Sequence, residues 1–111
     1  MKHVIRPAAK DDIIRQFRYY LLEGAFDTAN TFIDAVDGSI ETVCRMPEMG
    51  APKQFSNSIL AGLRAWAVKG FEDMQIYYVI QDDVLRVVRV LHGKRDIGKI
   101  LKREGKEDAQ H

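Results

Sequence analysis

A chain of 111 residues with 46% hydrophobic and 30% charged residues can bury one core, and its composition excludes a disordered or low-complexity segment. Its net charge of +1 argues against a strong polyelectrolyte partner for the chain as a whole, and the single cysteine, Cys44, excludes an intramolecular disulfide or a paired-cysteine metal site. No apolar run reaches membrane-spanning length, and Met1 to Asp12 carries Lys2, Arg6 and Lys10 without an apolar signal region, so a cytoplasmic protein without membrane contact is expected.

His3 to Arg6 reads as a first strand stopped by Pro7. Pro7 is suited to the first turn of a helix, and Asp11 and Asp12 are expected in that turn, where negative charge complements the helix dipole. Ile13, Ile14, Phe17, Tyr20 and Leu21 supply one helical face, with Gly24 as the stop. Phe26, Ala29, Phe32, Ile33, Val36, Ile40 and Val43 form the stripe of a second helix that Pro47 ends, with Asp27 as a candidate N-cap and Gly38-Ser39 as a candidate bend. The short link makes these two helices an antiparallel hairpin.

Met46 to Asn57 holds two prolines and Gly50 and reads as a loop. The periodicity then becomes extended. Leu63 to Val68 places Arg64, Trp66 and Val68 on one face and Leu63, Ala65 and Ala67 on the other. Met74 to Gln81 and Val84 to Leu91 are rich in β-branched and aromatic residues, and with only Asp82-Asp83 between them they should form a β-hairpin. The order strand, helix, helix, three strands is an α+β domain spanning 1–111, with the helical hairpin on one face of a largely antiparallel sheet and the other face, or part of it, left for a partner. Arg86 and Arg89, three apart on the last strand, should point to opposite faces, one of them paired or at an edge.

Charge is unevenly distributed. From Val84 onward Arg86, Arg89, Lys94, Arg95, Lys99, Lys102, Arg103 and Lys106 outnumber Asp96, Glu104, Glu107 and Asp108, so the segment from about residue 93 is basic and suits an acidic partner or nucleic acid. The periodic apolar pattern has largely ended by Leu101, so this segment is expected to serve a target more than the fold. No phosphate loop, GxSxG or HExxH is present, and no cofactor or metal is expected. Cys44 reads as a buried structural thiol.

The run Val88-Arg89-Val90-Leu91-His92-Gly93-Lys94-Arg95-Asp96-Ile97 resembles the terminal signature of the RelE/ParE family of type II toxin–antitoxin toxins, in which the last strand runs into an H-G-x-R-D turn. Leu63 to Glu72 followed by Ile76-Tyr77-Tyr78 resembles the ParE-type strand pair, and Met46-Pro47-Glu48-Met49-Gly50 resembles the family's LPELG loop. The resemblance covers nearly the whole chain, is closest to the ParE type, and implies the same order of elements. It also implies a cognate antitoxin in a hetero-oligomeric complex, a role of the kind linked to plasmid stabilisation, and a target that is DNA gyrase for the ParE type or the ribosome for the RelE type.

Gly93 lets the chain leave the strand sharply, so that Lys94 and Arg95 are presented at the sheet end with Asp96 near enough to orient a guanidinium; alternatively Arg95 and Asp96 pair only to fix the turn. His92 is either a catalytic group or a hydrogen-bonded structural histidine. RelE-like members cut ribosome-bound mRNA without a metal, which requires a base, an acid and cations for the phosphorane charge. In that alternative Arg95 and His92 are the candidate catalytic residues. Leu101, however, stands where the RelE type has its tyrosine, and an ungapped register puts Gln75 where a strand arginine is expected. The ParE-like reading is therefore preferred: a non-enzymatic toxin that poisons gyrase by direct binding, with Arg64, Trp66, Arg89, Lys94 and Arg95 as candidate partner-binding residues. Trp66 is equally suited to the core.

Overall fold

Pro7 marks the first change of direction in the chain. The computed structural model describes residues 1–53 and 61–109, with side chains to residue 104. Strand β1 (Lys2–Ile5) leads through Arg6 into helix α1 (Pro7–Leu22), whose first turn holds Pro7 where a missing N–H costs nothing. Gly24, at a φ of +76°, sits in the link before helix α2 (Phe26–Arg45). After the two-residue strand β2 (Ala51–Pro52) come β3 (Arg64–Val68), β4 (Phe71–Gln81), β5 (Val84–His92) and helix α3 (Ile97–Ala109). The sheet order is β1-β5-β4-β3-β2, with β1 parallel to β5 and every other pair antiparallel. The expected loop at Met46 to Asn57 thus contributes Ala51 and Pro52 to the sheet edge; its residues 54–57 lie outside the described residues.

The helical stripe does what its spacing predicts. Of the α2 stripe, Phe32, Val36, Ile40 and Val43 pack with Ala9 of α1 against Val68, Met74, Ile76, Tyr78, Leu85, Val87 and Val90. Phe26, counted in that stripe, is 62% exposed. Helix α2 runs through Gly38-Ser39 without a break, and the buried Ser39 Oγ accepts a hydrogen bond from the Lys69 N–H at 3.1 Å. Asp27 is not the cap, because Ala25 occupies that position and Asp27 lies inside the first turn. Nor do Asp11 and Asp12 serve the dipole of α1: they fall beyond its first turn, and Asp12 is buried.

The opposite sheet face is not simply open. Leu63, Ala65, Tyr77, Val79, Val88 and Leu91 are covered by Ile97, Ile100 and Leu101 of α3, a helix the sequence reading did not anticipate. Asp96 starts it, its Oδ1 accepting the Lys99 N–H at 3.0 Å. A bulge in β5 also changes which way the arginines face. Tyr77 pairs with Arg89 and Tyr78 with Val87, so Val88 is the extra residue. Arg86 lies opposite Val79 and Arg89 opposite Tyr77, which places both on the α3 face; the expectation of opposite faces fails because the bulge resets the two-residue alternation.

Candidate partner-binding site

Three segments carry the predicted site residues other than Arg89, and two of them, the 46–50 loop and the terminal turn, are fixed by local hydrogen bonding. In the first, Tyr78 projects from β4 beneath the 46–50 loop, its hydroxyl donating to the Pro47 carbonyl at 2.7 Å and accepting the Gly50 N–H at 3.0 Å. A Cβ at Gly50 would overlap that hydroxyl, which is why glycine stands there. Arg64 closes the same loop, NH1 donating to the Glu48 and Gly50 carbonyls at 2.9 and 2.8 Å. Burial pushes the Tyr78 hydroxyl above its ordinary range, opposed by the Gly50 bond and the Arg64 charge. Arg64 is half-buried and holds a loop, so what it offers a partner is the loop it shapes.

Trp66 is half-buried between the core and a groove of about 740 Å³ that runs between α2 and the start of β4, lined also by Ala35, Gly38, Thr42 and Lys69. One side of it therefore packs on the core and the other lines the groove.

The third segment is the terminal turn. His92, Gly93, Lys94, Arg95 and Asp96 are all exposed. The Gly93 N–H donates to the Asp73 carbonyl at 2.8 Å and the Arg95 N–H to the His92 carbonyl at 3.0 Å, so the turn backbone is held at both ends while its side chains stay free. Asp96 caps α3 and does not orient the Arg95 guanidinium. Beside the turn lies a depression of about 470 Å³ between Lys53, Glu72, Asp73, Gln75, Tyr77, His92 and Lys94. The Gln75 amide within it donates to the Glu72 carbonyl at 2.9 Å. The basic side chains here are therefore set against two acids.

Arg89 is apart from all three. Its Nε and NH2 bind Asp12 Oδ2 and Oδ1 at 2.7 and 2.8 Å, and NH1 binds Glu104. Asp12 Oδ2 also accepts the Val90 N–H at 3.0 Å. The Asp12 hydrogen bonds hold the guanidinium protonated more firmly than usual, against the effect of burial. With 11% of its side chain exposed, Arg89 is an internal residue and not a presented one. Arg86, on the same face, has a buried Nε without a hydrogen-bond partner among the described residues. Asp12, Tyr78 and Glu104 were missed by sequence reasoning; the available signal was a carboxylate at Asp12, three residues after the buried Ala9 on the inner side of α1. Cys44 is half-buried with its thiol pushed up by burial, in keeping with a structural role.

Among the described residues no group of three or more His, Cys, Asp or Glu is placed to hold a metal ion, and no helix is long and apolar enough to cross a membrane. Residues 4–97 match the family described as "ParE toxin of type II toxin-antitoxin system, parDE". Among solved structures the fold is similar to a chain of the chromosomal ParDE TA system from P. aeruginosa, with a TM-score of 0.68 at 11% sequence identity over 83% of this chain and 95% of that one. Among curated proteins no match is found.

Proposed function

The chain belongs to the ParE toxin family of type II toxin–antitoxin systems, and from that premise we propose that it binds DNA gyrase directly and is neutralised by a cognate antitoxin. The observation that carries the choice of target is the terminal turn: Lys94 and Arg95 are exposed on a backbone pinned at Asp73 and at the start of α3. Basic side chains on a backbone held in advance at a sheet end suit a protein interface, because the backbone loses little entropy on binding.

The ribonuclease alternative needs more than a cation. Leu101 is 7% exposed and packed from α3 against the sheet, and it has neither a proton to give nor a polar edge to offer. Gln75 is neutral and its amide already donates to Glu72. General acid–base catalysis contributes about 100- to 10,000-fold, and with Leu101 and Gln75 unable to supply it, His92 beside Arg95 would have to carry the proton transfer. The test is a pair of assays on one preparation. The purified protein is expected to inhibit gyrase supercoiling or trap gyrase on cleaved DNA while leaving ribosome-bound mRNA intact. Codon-position-specific mRNA cleavage lost in Arg95→Ala or His92→Ala, with gyrase unaffected, would reverse the assignment.

A further inference from the structure

We propose that Arg89 is a positioning residue, a buckle that fastens α3 across the sheet and so holds the Lys94–Arg95 turn in its presented geometry; this rests on the reading of that turn as the target contact. Both ion pairs found among the described residues belong to Arg89, and they reach in opposite directions. One arm is fixed. Asp12 has a side chain 3% exposed and spends both oxygens on Arg89, with Oδ2 also receiving the Val90 N–H, so α1 locks the guanidinium in place from the side of the helical hairpin. The other arm reaches outward. Glu104 lies on α3 with its side chain 34% exposed and takes the NH1 that Asp12 leaves free.

Helix α3 needs such a fastening. Its described apolar contacts with the sheet come from Ile97, Ile100 and Leu101 near its start, while Lys99, Lys102 and Arg103 are exposed. Glu104 is the next described side chain beyond them and provides the outer hold. The turn is continuous with this helix: Asp96 caps it through the Lys99 N–H, and the Asp96 carbonyl accepts the Ile100 N–H at 3.1 Å. Gly93 is tied to Asp73 on the other side. Lys94 and Arg95 therefore hang between one anchor in β4 and another in α3, and the second is only as firm as the buckle. The β5 bulge is what brings Arg89 to the α3 face, which gives that irregularity a purpose.

The test compares the full-length protein with Glu104→Ala and Glu104→Gln, which leave the buried Asp12–Arg89 arm intact and so spare the fold. Hydrogen exchange of α3 amides should rise about two- to fivefold in Glu104→Ala, the range expected for a partly exposed ion pair, with Glu104→Gln between it and the wild type. Amides of β4 and α2 should not change. The concentration needed for half-inhibition of gyrase should rise by a similar factor while affinity for the antitoxin stays constant, a split that general destabilisation would not give. Unchanged α3 exchange in Glu104→Ala overturns the proposal, and so does faster exchange with undiminished gyrase inhibition. Failure of the wild-type protein to inhibit gyrase would instead retire the target reading, and the exchange rates alone would then decide whether the buckle exists.

Discussion

Tyr78 joins segments far apart in the chain, since its hydroxyl bonds to Pro47 and Gly50 in the loop that follows α2. Removing that hydroxyl leaves the buried Gly50 N–H without its acceptor. Tyr78→Phe should therefore cost about 1–3 kcal/mol in chemical denaturation, and a cost near zero would show that the loop finds another partner. The pH dependence has a definite sign. Burial raises the Tyr77 and Tyr78 hydroxyls above the ordinary tyrosine range, so the folded state holds these protons more tightly than the unfolded one. That stability is fully present below about pH 10 and is lost as pH rises through the higher folded values. Tyrosinate absorbance should accordingly develop for two of the four tyrosines only as the protein unfolds in alkali; independent titration of all four at ordinary pH would contradict the burial.

The β4–β5 hairpin shows how an element can form against a local preference. Asp82 and Asp83 both adopt left-handed backbone, with φ of 55° and 61°, in the two-residue turn whose twist matches the strands. Neither is a glycine, and their charges adjoin. Replacing the pair by Asn-Gly should stabilise the fold by about 1 kcal/mol, seen as a higher denaturation midpoint at unchanged slope; a lower midpoint would mean that the aspartates make contacts of their own. The main elements were legible because their apolar periods are long: the stripe from Ala29 to Val43 and the alternation from Leu63 to Val68 need no distant partner to be read. Helix α3 was not, because Ile97, Ile100 and Leu101 are few among charged neighbours and form a face only against a sheet already in place. The bulge at Val88 has no local signature either. The site was legible at its exposed turn, where Gly93 and its neighbours form a motif. It was illegible at Arg89, whose partner Asp12 is 77 residues away in sequence and carries no mark that would pair the two.

At the scale of the molecule, one sheet separates a helical hairpin from a single short-footed helix, and the family places such a chain beside an antitoxin. Large apolar side chains remain exposed on the hairpin, with Tyr19, Leu22 and Phe26 at 54%, 88% and 62%. An antitoxin segment that orders on the toxin would stabilise it by mass action, so co-expression with the cognate antitoxin should raise its soluble yield and melting temperature. Equal yield and melting temperature without that partner would count against neutralisation by binding. In the proposed function the contact for gyrase is the pinned turn and not the sheet as a whole. Inhibition of gyrase supercoiling should be measured across a titration of wild type and Lys94→Ala/Arg95→Ala, two exposed residues with no part in the core. Loss of two anchoring cations should raise the half-inhibitory concentration about tenfold or more, with antitoxin affinity and melting temperature unchanged. Equal inhibition by the two proteins would contradict the account.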